Sequence, residues 1–216
     1  VHQPQVGALA VDDVDADGTP DIIACTMNGN LLRYDLDFNE VWRHNRIEHG
    51  PNEMQLRDLD GDGTLNVIVG THYGRLKTFD ENGNQLPSVY SELGDVQMAI
   101  GDLDGDGTPE IANGSSTGAF TLRTWRTREG FSFPNYGFAF TEVLMGQMLG
   151  DATPELLTSS QTGYVYALNA EGEIYLTGWT RSSDLPVTPS AAQPTIGQYW
   201  DAFIAVLSPD CRDLHY

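Results

Sequence analysis

Cysteine is scarce in this chain: Cys25 and Cys211 are the only two among 216 residues, and they sit near opposite ends. Two cysteines make no disulfide scaffold, and their separation is not a metal-ligand spacing. They read either as a single clasp in an oxidising compartment or as two ordinary thiols. Positive charge is scarce as well, with 11 Lys and Arg against 31 Asp and Glu and a net charge of −20. That balance repels phosphate backbones and anionic membrane surfaces and favours cations, which argues against nucleic acid as a partner. No run approaches the roughly 18 consecutive apolar residues of a membrane span, which argues against membrane insertion. The opening VHQPQVGALA has neither an initiator Met nor a basic-then-apolar leader, the pattern of a mature protein or an excised piece. Catalytic signatures are also missing. His2, His44, His49, His72 and His215 form no local cluster, and no G-x-S-x-G, H-E-x-x-H or phosphate loop occurs. Acidic pairs such as Glu53 with Asp58, or Asp201 with Glu173, would suit a glycosidase only if they met across a groove. The expectation is a protein that is not an enzyme, with a domain of a polysaccharide-degrading enzyme as the outlying alternative.

What the chain has in abundance is punctuated short apolar runs. Forty per cent of the residues are apolar, enough for a core, and 23 Gly and 11 Pro divide them into strand-length pieces. The pieces repeat. VDDVDADGTPDIIACTMNGNLLRYD, LRDLDGDGTLNVIVGTHYGRLKTFD, IGDLDGDGTPEIANGSSTGAFTLRTW and MGQMLGDATPELLTSSQTGYVYALNA align without a gap, with register points at Asp13, Asp58, Asp102 and Gln147, 45, 44 and 45 residues apart. In each unit the ninth motif position, Asp21, Asn66, Glu110 or Glu155, precedes a glycine by eight residues: Gly29, Gly74, Gly118 or Gly163. An apolar run enters the acidic loop, another such as DIIAC or NVIVG leaves it, and a Gly turn leads into partly alternating LLRYDLD. Alternation sets Leu32, Tyr34 and Leu36 against Arg33, Asp35 and Asp37, whereas Lys77 and Phe79 share a face. EVWRHN and PSVYSE are candidates for a fourth strand. An antiparallel meander of about four strands in about 45 residues is the period of a β-propeller blade, which buries its faces only by stacking on neighbours. The predicted fold class is therefore an all-β propeller of four clear units plus a partial fifth. The units fall at about residues 7–50, 51–95, 96–140 and 141–180, with a distinct C-terminal segment at 172–216, all within one domain.

The acidic comb has a chemical reading. D-x-D-x-D-G places a carboxylate at every second position, and the glycine permits the sharp bend that folds those oxygens around a hard cation. A helix-flanked calcium hand would need a bidentate Glu at loop position twelve, where Ala24, Val69 and Asn113 stand, and β-branched runs follow instead of a helix. The competing reading is metal-free, since Asp and Gly also build Asx turns.

The motif D-x-D-x-D-G-x-x-[DNE] before a strand resembles the FG-GAP/VCBS repeats of integrin-α-like propellers over roughly residues 7 to 170. The resemblance implies structural Ca²⁺ bound by side chains at motif positions one, three, five and nine and by the backbone carbonyl at position seven. The first site would use Asp13, Asp15, Asp17 and Asp21 with the Thr19 carbonyl. The second would use Asp58, Asp60, Asp62 and Asn66 with the Thr64 carbonyl. The third would use Asp102, Asp104, Asp106 and Glu110 with the Thr108 carbonyl. In the fourth copy Gln147, Leu149, Asp151 and Glu155 leave two carboxylates and Ala152 replaces the glycine, so no calcium is expected there. Three Ca²⁺ would take the charge from −20 to −14 and relieve clusters whose repulsion opposes folding.

Beyond Gly163 the pattern changes. G-E-I-Y-L-T-G-W-T, S-S-D-L-P-V-T-P and D-A-F-I-A-V-L, within residues 172 to 210, resemble the SBBP repeat of bacterial seven-bladed propellers. The ring count stays open among a closed ring of about five blades, a fragment of a larger ring, and pairing with another copy through exposed strand edges. In a closed ring the first and last blades touch, which could bring Cys25 and Cys211 together. Tyr73, Trp125, Tyr136, Trp179, Tyr199 and Trp200 are candidates for blade packing or for stacking on sugars or a protein partner. Asn113-Gly-Ser115 is a formal glycosylation sequon. Extracellular calcium modules bind at about 0.1 to 1 mM, which suits the cell exterior. Together these readings predict an extracellular or cell-surface adhesion or binding module for a protein or glycan ligand, with a self-assembling surface-layer or fibre subunit as the alternative.

Overall fold

The computed structural model describes residues 5–73, 76–87, 96–124, 130–134, 139–147, 153–161, 165–170, 172–182, 200–207 and 214–215. Every element among them is a β-strand. The first sheet comprises β1 (Val6–Asp12), β2 (Asp21–Thr26), β3 (Leu31–Tyr34) and β4 (Glu40–His44). The second comprises β5 (Pro51–Arg57), β6 (Asn66–Thr71), β7 (Leu76–Phe79) and β8 (Gln85–Leu86). The third comprises β9 (Val96–Gly101), β10 (Glu110–Ser115), β11 (Ala119–Thr124) and β12 (Gly130–Pro134). The fourth has six strands: β13 (Phe140–Gly146), β14 (Glu155–Ser160), β15 (Val165–Leu168), β16 (Ile174–Thr180), β17 (Asp201–Leu207) and β18 (Leu214–His215). Within every sheet, strands pair antiparallel in chain order.

Each acidic loop joins the first two strands of its sheet, and the ninth motif residue is the first residue of the second strand in all four. At the other end of that strand Gly29 and Gly118 close the turn with φ of 79° and 87°, each donating its N–H three residues back, to Thr26 O and Ser115 O. Left-handed φ is why glycine recurs there.

Register explains how the repeat becomes a core. Motif position eleven points forward: Ile23, Ile68 and Ala112 are fully buried against the following sheet. Position ten points back: Val67, Ile111 and Leu156 are fully buried against the preceding one. Position two, inside the acidic loop, adds a plug to the forward side, as Val14, Leu59 and Leu103 are all fully buried there. Among the described residues, three clusters built from these repeated positions result. Ile23, Cys25 and Leu31 meet Leu56, Val69 and Phe79; Ile68 and Leu76 meet Met98 and Ile100; Phe120 and Leu122 meet Val143, Leu168 and Ile174. Such stacking, in which each unit contacts its neighbours, is repeat-protein packing.

The two ends of the stack lack that cover. On the first sheet Leu9 and Val11 are 64% and 58% exposed, although Leu56 and Ile100, the equivalents of Val11, are buried. On the fourth sheet Leu144 is exposed and Leu157 half-buried, where Ala99 and Ala112 are buried in the third. The C-terminal segment, expected to begin a partial fifth unit, is observed widening the fourth sheet. Its two apolar blocks form β16 and β17, which pair over their whole length from Ile174↔Leu207 to Thr180↔Asp201. Cys25 is a free thiol sealed in the first interface, with its pKa pushed up to about 12 by burial, and Cys211 lies outside the described residues.

An inner-strand contact joins the second and third sheets. Glu53 Oε2 accepts the Met98 N–H at 2.7 Å, while Gln55 Nε2 donates to Glu53 Oε1 and to Met98 O. Burial, reinforced by the charge of Glu142, raises the Glu53 pKa above its ordinary 4.5, against the lowering effect of those hydrogen bonds. Between 4.5 and the raised native value the folded state holds more protons than the unfolded chain, so stability falls as pH rises through that window. Glu53→Gln is expected to flatten this part of a plot of unfolding free energy against pH. Leu59→Ala, which empties a plug position, is expected to cost about 2–5 kcal/mol in denaturant unfolding.

Candidate metal centres

The three acidic loops share one backbone path. Position six is left-handed in all of them, with φ of 90° at Gly18, 93° at Gly63 and 85° at Gly107. Position four is left-handed too, at Gly61, Gly105 and Ala16, so Ala16 holds a conformation that normally favours glycine. These two reversals curl the alternating carboxylates toward one another.

A common hydrogen-bond network holds the curl. The position-one carboxylate accepts the N–H of position six: Gly18 to Asp13 at 2.9 Å, Gly63 to Asp58 at 3.0 Å and Gly107 to Asp102 at 2.9 Å. The position-five carboxylate accepts the N–H of position seven, pairing Asp17 with Thr19, Asp62 with Thr64 and Asp106 with Thr108. The ninth side chain accepts the N–H of position two: Val14 to Asp21 at 3.2 Å, Leu59 to Asn66 at 2.9 Å and Leu103 to Glu110 at 2.8 Å. Asx-turn chemistry therefore builds the loops, and the ninth residue is a latch whichever role it has toward a metal.

Carboxylate oxygens also converge. Asp13, Asp15 and Asp17 form one group, Asp58, Asp60 and Asp62 a second, and Asp102, Asp104 and Glu110 a third, with ligand atoms within 4.8 Å of one another in each. The groups differ at the ninth position. In the third loop Glu110 is 5% exposed and uses one oxygen as the latch. Its Oε1, like Asp102 Oδ1, is buried with no hydrogen-bond partner among the described residues. Burial raises the Glu110 pKa, and the charges of Asp104, Asp106 and Asp102 push it further. An orphaned buried carboxylate oxygen amid three aspartates is a donor set that fits a hard cation. In the second loop Asn66 supplies a neutral amide whose oxygen already holds Leu59 N–H.

The first loop is different. Arg33 on β3 is only 6% exposed. Its Nη2 pairs with Asp15 and its Nε lies 2.8 Å from Asp21 Oδ1. Asp15 is held below the usual carboxylate range, chiefly by the hydrogen bond from Arg33. Simple alternation put Arg33 on the polar side of its strand. The structure puts it between the first two sheets, where neutralisation by two aspartates makes burial of a guanidinium tolerable. In the fourth copy Gln147 Nε2 donates to the Thr153 carbonyl, motif position seven, at 2.9 Å. Leu149 and Asp151 lie outside the described residues.

At the opposite end of the sheets, turns from the first three meet around a polar cleft of roughly 670 Å³ lined by Met27, Asn28, His49, His72, Tyr73 and Ser116. The His49 and Tyr73 rings pack at a tilt of 46°, 4.2 Å between centroids. No local pattern announces this cleft, because it is assembled from turns about 45 residues apart. Among the aromatic candidates, Tyr73 and Trp200 are exposed, and Arg181 lies 4.5 Å over the Trp200 ring. Trp179 is part of β16, and Trp125, Tyr136 and Tyr199 fall outside the described residues. Asn113 lies within β10 at 1% exposure, its Oδ1 accepting from Thr121, which leaves the folded protein no room for a glycan there.

Residues 58–113 match the FG-GAP-like repeat family. No curated protein was found to match the chain. Among solved structures it is similar to the computationally designed Ika4 protein, with a TM-score of 0.57 at 16% identity over 78% of this chain and 93% of that one. It is similar to BBS1N from a complex with ARL6DN, with a TM-score of 0.58 at 14% identity over 78% of this chain. It is also similar to the Neurospora crassa Pan2 WD40 domain, with a TM-score of 0.55 at 13% identity over 99% of this chain. The chain spans 50% of the BBS1N chain and 65% of the Pan2 chain. With stacked four-stranded meanders, these likenesses define the class: the fold is a β-propeller. It carries FG-GAP-like repeat sequence in its second and third blades.

Asn66→Ala is expected to cost about 1–3 kcal/mol in chelator-treated protein, because the buried Leu59 N–H would lose its acceptor. Unchanged unfolding in chelator would show that the latch carries no weight without metal.

Proposed function

We propose that this chain is an extracellular binding module whose propeller is stiffened by structural Ca²⁺ in the acidic loops and whose opposite end meets a protein or glycan ligand. The observation that carries the metal part is Glu110 Oε1, a buried carboxylate oxygen with no partner among the described residues, grouped with Asp102 and Asp104. A cation there would supply the charge that the third loop lacks. Recognition belongs to the cleft between the turns, where Tyr73 offers an exposed ring and His49 and His72 offer polar edges. Loops on a rigid scaffold commonly carry recognition. The extracellular assignment rests on the calcium level that such loops require, about 0.1 to 1 mM.

Chelation is expected to lower the melting temperature, with recovery on adding calcium, and Asp104→Ala is expected to remove about one bound ion by elemental analysis. An unchanged melt and no bound metal would overturn the calcium reading. Removal of the Tyr73 ring by Tyr73→Ala is expected to weaken retention on a glycan or receptor array without shifting the melt.

A second reading, assembly with another copy, is favoured by the two uncovered sheet ends. The backward face bearing Leu9 and Val11 and the forward face bearing Leu144 and Leu157 are the two halves of the interface that recurs inside the chain. Sedimentation across a concentration series separates the readings, since a constant monomer mass would remove assembly.

A further inference from the structure

The first acidic loop departs from its sister loops in a way that bears on how many ions the protein takes. Arg33 stands opposite Ile23 in the β2–β3 register. The matching positions are Thr78, opposite Ile68, and Leu122, opposite Ala112. Neither of these carries charge, so among the three comb loops only the first receives an internal cation from this register. The guanidinium is held on several sides. It pairs with Asp15 Oδ2, lies 2.8 Å from Asp21 Oδ1, and donates through Nη1 to the Glu81 carbonyl of the second sheet at 3.2 Å. That carbonyl also accepts Trp42 Nε1 at 2.8 Å.

We propose that the Arg33 guanidinium occupies the first loop in place of a calcium ion, so that this chain binds two such ions, in its second and third loops, and not three. The inference rests on the calcium reading of those two loops. Motif positions three and nine each give one carboxylate oxygen to Arg33, Asp15 through Oδ2 and Asp21 through Oδ1, and only Asp15 Oδ1 stays without a partner among the described residues. Asp13 and Asp17 remain, and their oxygens accept the N–H groups of Asp17, Gly18 and Thr19. A dication entering this loop meets a fixed positive charge, and drawing Asp15 and Asp21 away from it would leave a buried guanidinium without its carboxylate partners. The third loop is the contrast at the ninth position: Asp21 is paired with Arg33, whereas Glu110 Oε1 has no partner among the described residues. The consequence for regulation is a division of labour. The first sheet is bolted to the second by Arg33 at any calcium level, while calcium would govern the loops whose plugs, Leu59 and Leu103, enter the second and third interfaces.

Counting bound Ca²⁺ by native mass spectrometry, with parallel calorimetric titration, tests this on the full chain. The wild type is expected to hold two ions and Arg33→Met three. Asp15→Asn, a milder change in the same loop, is expected to leave two, whereas Asp60→Asn and Asp104→Asn each leave one. Three ions in the wild type, loss of an ion on Asp15→Asn, or a folded Arg33→Met protein that still holds two would overturn the inference while sparing the calcium reading. No bound ion in the wild type would remove both.

Discussion

One hydrogen bond couples the acidic loops to the core. In each comb the ninth side chain accepts the backbone N–H of position two, from Val14, Leu59 or Leu103, and that same residue sends a fully buried side chain into the next sheet-to-sheet interface. The polar loop and the apolar plug are therefore one unit. A loop that opens withdraws its plug, and a plug that packs well holds the latch closed. This is why a surface-exposed, highly charged segment can influence a stack of sheets whose contacts are otherwise aliphatic and aromatic.

The cost of that coupling is concentrated negative charge beside the core. The three loops meet it differently, and the differences lie in single residues. Arg33 brings a guanidinium to the first, Asn66 makes the latch of the second neutral, and Glu110 leaves the third with a buried oxygen that is unpaired among the described residues. In the degenerate fourth copy an amide donor, Gln147, reaches the carbonyl of position seven. An internal donor thus takes part of the place that an external cation would fill in two of four copies. The proposed calcium sites are the second and third loops, where the uncharged Thr78 and Leu122 stand at the register position that Arg33 takes in the first.

Much of this architecture is legible in the chain itself, because repetition amplifies weak local signals. One Asp comb is ambiguous, but three in register, each followed by a strand-length run and a glycine turn, specify the strand order and the loop that joins the first two strands. What escapes a linear reading is whatever depends on lateral register. Arg33 is 18 residues from Asp15 and reaches it only because β3 pairs with β2 so that Arg33 stands opposite Ile23. The pairing of β17 with β16 is likewise a long-range choice, and it turns an apparent new repeat into an extension of the fourth sheet. Asn113 looks like a surface sequon by its triplet, yet β10 buries it beside Thr121.

The measurement that tests the account most directly is an anomalous difference map from a crystal grown with calcium. The account predicts density inside the combs of Asp58, Asp60 and Asp62 and of Asp102, Asp104 and Glu110, with Arg33 still seated against Asp15 and Asp21. Density inside the first loop, or in none of the three, would contradict it.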